Sequence, residues 1–222
     1  MNVSEALRIR KSTRAFLDKD VEREKIIAVL DAAKHAPSGA NTQPWQVAAV
    51  TGARKIDLQT QMETVFRYGE KGKMDFQYYP RTWAEPYKMR RIECGLQLYQ
   101  ALGITRQEKD RRLEQWAANY RAFDAPVVLF FFMDEGLETG SYMDYGMFLQ
   151  SLMLAAVEQG LATCPQAALG EYPQIVKEAL GYPAESILLG GMALGYEDPD
   201  APVNTYRTPR LPVETFTRFF DA

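Results

Sequence analysis

The chain has 222 residues, with 26 Lys and Arg against 29 Asp and Glu, a formal net charge of -3, only two cysteines and one histidine, and 12 Tyr, 11 Phe and 3 Trp. The acidic balance argues against nucleic-acid binding, which needs a basic excess; the Cys and His counts argue against a disulfide framework and against a zinc or iron centre, so no metal is expected. The length suits one domain over residues 1–222 with a substantial core, and the aromatic richness suits large apolar interfaces or a flat ligand.

The start, Met1 to Glu5, has no apolar signal core. The most apolar window, Met143 to Val157, is short and broken by Asp144, Gln150 and Ser151, which excludes a membrane span there. A cytoplasmic protein is the expectation. Ser4 is placed to cap a short helix running through Ile9. Arg10-Lys11-Ser12-Thr13-Arg14 follows, three cations and two hydroxyls in five residues. Arginine forks match phosphate oxygens, lysine adds a point charge and serine a neutral donor. Arg207 and Arg210 form a second basic group near the other end, and the two ends closing on one phosphate is the organising expectation.

Acidic residues Asp20, Glu22 and Glu24 open a second helix to about Lys34. His35 to Trp45 is a loop held by Pro37 and Pro44, dense in amides and hydroxyls, with Gln43 expected to be extended because a proline follows it. Gln46 to Thr51 reads as a strand and Ala53 to Tyr68 as a helix. Gly69 to Glu85 has few periodic apolar positions and carries Tyr78, Tyr79 and Trp83. It opens an excursion over about 69–120 that is expected to act as a lid. Within that span lie a helix from Glu85 to Leu102, stopped by Gly103, and a helix to about Tyr120 opened by a Thr105/Glu108 capping box.

Val127 to Met133 is apolar without alternation, the mark of a strand covered on both faces. Tyr142 to Gln159 is a helix apolar on most sides, suited to a core or a subunit interface. Leu161 to Gln166 is a strand, Tyr172 to Leu180 a helix ended by Gly181, and Ser186 to Leu194 a buried strand in which Gly190 and Gly191 allow close approach. The tail from Gly195 to Ala222 is proline-rich and then aromatic. Helices with interspersed strands give an α+β fold with a small mixed central sheet surrounded by helices.

Phosphate-loop, dinucleotide and nucleophile-elbow motifs are absent. A Cys–His nucleophile would need His35 with Cys94 or Cys164, and nothing supplies an orienting third group; Cys164 reads as a small core residue. Phosphate donors, an amide-rich loop and many aromatics without a distinctive acid or base fit a bound flavin, which carries its own chemistry.

Over nearly its whole length the chain resembles the FMN-dependent nitroreductases, in the branch of the nitrobenzoate reductases. The likeness rests on Arg10 to Arg14, on Pro37-Ser38-Gly39-Ala40-Asn41-Thr42-Gln43-Pro44-Trp45, on Gly191 to Tyr196 and on Arg210-Leu211-Pro212. It implies an intertwined homodimer with FMN at the subunit interface and NADH or NADPH as reductant. Arg10, Lys11, Ser12 and Arg14 would hold the flavin phosphate and pyrimidine side, completed by Arg210. Pro37, Ser38 and Asn41 would reach it from the other subunit. Pro165, Gln166, Ala167 and Ala168 would run along its ring, with a main-chain N–H toward N5. Two departures stand out: many relatives have an acidic residue and a glycine where Ala167 and Ala168 stand, and a lysine at Thr208, for which Arg207 substitutes.

The resemblance further implies reduction of a small nitroaromatic compound by ping-pong hydride transfer, with no protein acid or base. Tyr78, Tyr79, Trp83 and Tyr87 are the expected substrate contacts. Enone or quinone reduction, reductive dehalogenation of a phenol, and flavin binding without turnover are the alternatives; the Glu-x-x-x-Tyr pair of the dehalogenating relatives is not found between residues 60 and 90.

Overall fold

Strand β2 (Val127–Met133) is buried along its entire length. In the computed structural model, which describes residues 1–220, this strand has a separate apolar layer on each face, which is why its sequence runs apolar without alternation. Val127, Leu129, Phe131 and Met133 face one layer, with Ile26, Val29 and Ala33 of α2 (Arg23–Ala33) and Phe148 and Leu152 of α6 (Thr139–Glu158). Val128, Phe130 and Phe132 face the other, with Leu58 and Met62 of α3 (Gly52–Arg67), Tyr120, Tyr172, and Val176 of α7 (Pro173–Leu180).

The sheet order is β1-β2-β4-β3, with β1 at Gln46–Val50, β3 at Ala162–Gln166 and β4 at Ile187–Gly195. All three pairings are antiparallel. The α+β expectation holds, but the mixed sheet does not: the parallel component is confined to an isolated bridge, Ser12 with Thr163. Burial periodicity reports which faces are covered, not which way a strand runs. Gly191 lies where a Cβ would meet Leu169 Cδ1 at 2.7 Å and Leu129 O at 2.9 Å, and Gly190 has φ +140. These two positions let residues 166–170 press onto β4.

Local differences have local causes. Helix α1 (Val3–Ile9) is capped by Asn2, not Ser4: Asn2 Oδ1 accepts the Glu5 N–H at 2.9 Å and Glu5 Oε2 accepts the Asn2 N–H at 3.2 Å. Gln43 has φ +47 in place of an extended conformation, because Ala40 and Asn41 also turn left-handed and Ser38 Oγ accepts the Gln43 N–H at 3.0 Å. Glu108 does reach back to the Thr105 N–H and hydroxyl, at 2.7 and 2.8 Å. Helix α5 nevertheless begins only at Lys109 and ends at Ala117.

The excursion is tied down where it begins. Asp75 Oδ2 accepts from Lys177 Nζ at 2.9 Å and from the Leu188 N–H at 2.8 Å, and Tyr172 donates to the Glu70 carbonyl at 2.9 Å. Helix α4 (Tyr87–Ala101) buries no residue within this chain. The short helix α8 (Val213–Phe216) closes the described elements, and among the described residues no helix is long and apolar enough to cross a membrane.

Candidate active site

The two ends of the chain are joined by Asn204, which is 3% exposed. Its Oδ1 accepts the Arg14 N–H at 2.9 Å, and its Nδ2 donates to the carbonyls of Ala15 and Asp198, each at 2.9 Å. Its own carbonyl accepts from Lys11 Nζ at 2.6 Å. Alongside, the Thr13 N–H donates to the Thr163 carbonyl at 3.0 Å and lays the basic segment against β3. Arg207 completes the join by donating to the carbonyls of Arg8, Ile9 and Arg10 at the end of α1. Those carbonyls have no helical partner, and a cation there meets the negative end of the helix.

A cavity of about 370 Å³ lies at this junction. Arg8, Arg10, Lys11, Ser12 and Arg14 line it together with Tyr206, Arg207, Thr208 and Arg210 of the tail and Cys94 of α4; among the described residues no carboxylate does. The cations are differently employed. Lys11 is neutralised by Glu197 at 2.6 Å, and Arg207 is committed to backbone. Arg210 Nη1 bonds only within its own turn, to Thr208 and Pro209. Arg14 Nη1 makes two long contacts, 3.3 Å to the Ser12 carbonyl and 3.4 Å to Tyr206 Oη. Arg10 Nε is buried with no partner. Burial pushes the Arg10 guanidinium below its ordinary pKa, and the charges of Arg210 and Arg207 push the same way. A buried donor without a protein acceptor, among cations in a cavity without carboxylates, suits an anionic acceptor such as a phosphate.

The predicted residues therefore divide. Arg10, Ser12, Arg14 and Arg210 converge on one cavity; Lys11 and Arg207 also line it, but as braces. Pro37, Ser38 and Asn41 lie outside it, on a loop pinned by the Gly39 N–H to Asp144 at 3.1 Å. Of the strip that ends β3 and follows it, Pro165 is exposed, Ala167 and Ala168 are half-buried, and Gln166 turns inward, its Nε2 donating to the Asn119 carbonyl at 2.9 Å. The Gln166 Oε1 is buried without a partner. Cys164 is buried and its thiol is pushed up to about 11, an inert core residue.

Tyr78, Tyr79 and Trp83 form a continuous aromatic ledge, with ring centroids 4.6 Å and then 5.8 Å apart. Phe76 joins the ledge to Tyr142 of α6 at 5.2 Å. Tyr87 stands apart, exposed at the start of α4 with Arg90 over its ring. The sequence reading missed Asn204, Tyr206 and Cys94. A lone asparagine in a proline-rich tail carries no periodic signal, and its partners lie about 190 positions away.

Residues 7–196 match the nitroreductase family. Nitrobenzene nitroreductase of Ectopseudomonas oleovorans is 36% identical over 218 residues, covering 98% of this chain and 96% of that protein. A 4-nitrobenzoate reductase of Pseudomonas putida is 34% identical over 210 residues, covering 95% and 92%. The crystal structure of an FMN- and NADPH-dependent nitroreductase from Sphigopyxis sp. strain HMH superposes with TM-score 0.96 at 38% identity, covering 99% of each chain. With likeness over nearly its full length in both sequence and fold, the chain belongs to the nitroreductase family.

Proposed function

We propose that this protein is an FMN-dependent oxidoreductase that uses NADPH, or NADH, to reduce small nitroaromatic compounds, and that it works as a homodimer. The observation that carries the proposal is Arg10: a buried, unpartnered guanidinium N–H in a cavity shared with Arg14 and Arg210 and lined by no carboxylate among the described residues. That donor set fits the phosphate of FMN. Arg10, Ser12, Arg14 and Arg210 hold the phosphate, while Asn204, Lys11 and Arg207 fix the segments that carry them. Bound there, FMN supplies the hydride-accepting and hydride-donating centre. The protein would contribute positive charge that stabilises the anionic reduced ring system, main-chain N–H groups from Gln166 to Ala168, since Pro165 has none, and the aromatic ledge as a wall for flat reactants. One such slot serves nucleotide and nitroarene in turn.

The homodimer is supported by apolar side chains left bare on one chain. Val3, Leu7 and Ile9 of α1, Met143 of α6 and Phe216 and Phe219 of the tail are all exposed, Met143 at 71% and Phe219 at 75%. Exposed apolar side chains in this number suit burial against a second copy. Pro37, Ser38 and Asn41, outside their own chain's cavity, are then placed to serve the partner's. The test is purification followed by a visible spectrum and an anaerobic assay of NADPH oxidation with nitrobenzene. A yellow dimer that oxidises NADPH only when the nitroarene is present is expected. A colourless protein that takes up no FMN would overturn the proposal.

A further inference from the structure

Helix α4 and the segment before it carry cations that holding a phosphate in the main cavity does not employ. Arg81, Lys88, Arg90 and Arg91 take part in no ion pair among the described residues. We propose that Arg91, braced on Trp83, recognises the 2′-phosphate of NADPH and so sets the preference for NADPH over NADH. The inference rests on the nitroreductase reading above and assigns a further subsite beside the same cavity.

The geometry singles out Arg91 among the four. Its guanidinium carbon lies 5.5 Å from the centroid of the Trp83 ring. Trp83 in turn stands 5.8 Å from Tyr79, so Arg91 sits on the aromatic ledge. Partial burial and then Tyr78 push the Tyr79 hydroxyl up, the nearby Arg91 charge pulls it down, and Glu171 and Cys94 push it up. Cys94 lines the main cavity. Arg91 and Cys94 are three positions apart on α4 and therefore share a face. Arg91 thus lies on the ledge, on the same face of α4 as a residue that lines the cavity, though it does not line the cavity itself.

A guanidinium held near an indole face gains a cation–π attraction that occupies none of its N–H groups, which stay free for a further partner. Those groups suit a phosphate monoester, which carries roughly -1.5 to -2 charges near neutral pH and accepts two parallel bonds. Among the described residues no carboxylate forms an ion pair with the Arg91 guanidinium. NADH presents only a 2′-hydroxyl there, so the difference between the nucleotides falls on this one contact. Arg90, one residue away, is an internal control. It lies 5.5 Å over Tyr87, off the Tyr79–Trp83 ledge, and lines a neighbouring cavity between α4 and the tail that shares Cys94, Thr208 and Arg210 with the main one.

The test compares wild type, Arg91→Ala, Arg91→Lys and Arg90→Ala in two measurements on the FMN-loaded protein. The first is kcat/KM for NADPH and NADH with nitrobenzene, an uncharged acceptor. The second is calorimetric affinity for adenosine 2′,5′-bisphosphate and for AMP. Loss of one charged hydrogen-bonding group predicts a fall of about tenfold to hundredfold in the NADPH:NADH ratio for Arg91→Ala, carried by KM for NADPH. Affinity for adenosine 2′,5′-bisphosphate falls alongside it, and affinity for AMP does not. Arg91→Lys recovers part of the ratio and Arg90→Ala keeps it. An unchanged ratio, an equal loss for both nucleotides, or the same effect from Arg90→Ala overturns the assignment. So does a loss seen only when nitrobenzene is replaced by 4-nitrobenzoate, which would make Arg91 a carboxylate clamp. A wild type that oxidises neither nucleotide with any nitroarene refutes the functional reading instead; one that oxidises both equally well refutes only this inference.

Discussion

Replacing Asn204 by Ala should loosen the join between the two ends of the chain. The side chain makes three hydrogen bonds, one accepted from the Arg14 N–H and two donated to the Ala15 and Asp198 carbonyls, all at 2.9 Å. The residue is 3% exposed, so water does not readily replace it. At about 1 kcal/mol each, the three bonds contribute roughly 3 kcal/mol, and more if the backbone groups stay dry. For a chain of this size, roughly 3 kcal/mol corresponds to a fall of about 6–12 °C in Tm. Calorimetry of wild type and Asn204→Ala measures it directly. FMN affinity, read by fluorescence quenching, should fall in the same variant, because the backbone carrying Arg14 loses its anchor while no phosphate-contacting side chain is removed. A loss of stability under about 1 kcal/mol together with unchanged FMN affinity would refute the view that Asn204 organises the site.

Three other outcomes are expected. Arg10→Ala should weaken FMN binding by roughly 1.5–3 kcal/mol, more than Arg14→Ala, whose guanidinium already has partial partners, and should leave apoprotein stability unchanged or improved because an unpaired buried donor is removed; a titration of each apoprotein with FMN checks the order. Lys177→Met leaves Asp75 with the Leu188 N–H but without its cation and should cost about 3 kcal/mol, the low end of the penalty for breaking a mostly buried pair. Limited proteolysis should then cut residues 69–85 faster, and an unaltered digestion pattern would show that this pair does not latch the excursion. Finally, the Glu108 carboxyl is held down to about 2, first by the Thr105 N–H, then by Arg111 and the Thr105 hydroxyl. Because the folded value lies below the usual 4.5, the stabilisation is complete above about pH 4.5 and is lost as the pH falls toward 2. The Tm advantage of wild type over Glu108→Gln should therefore shrink between pH 6 and pH 2.5; a constant gap would contradict it.

Burial on both faces was legible in Val127–Met133 because a strand with no polar position has no face to offer to water. The same holds for Gly181, which ends α7 with φ +72, and for the close approach at Gly190 and Gly191. These are short-range consequences of side-chain type, so residue identity carries them. Strand direction was not legible, since an antiparallel and a parallel neighbour cover an apolar strand equally well. Nor was the conformation of Gln43, where a hydroxyl five residues back selects a left-handed φ over the extended one that proline favours.

The basic clusters at the two ends were visible as composition, and so was their suitability for phosphate. How each cation is employed was decided only by the tertiary structure. Lys11 and Arg207 look as free as Arg10 along the chain, yet one is neutralised by Glu197 and the other caps the end of α1, while Arg10 keeps a buried donor without a partner. Sequence specifies which groups carry charge. Which charges remain uncompensated depends on contacts across nearly two hundred residues, and those exist only once the two ends have been brought together.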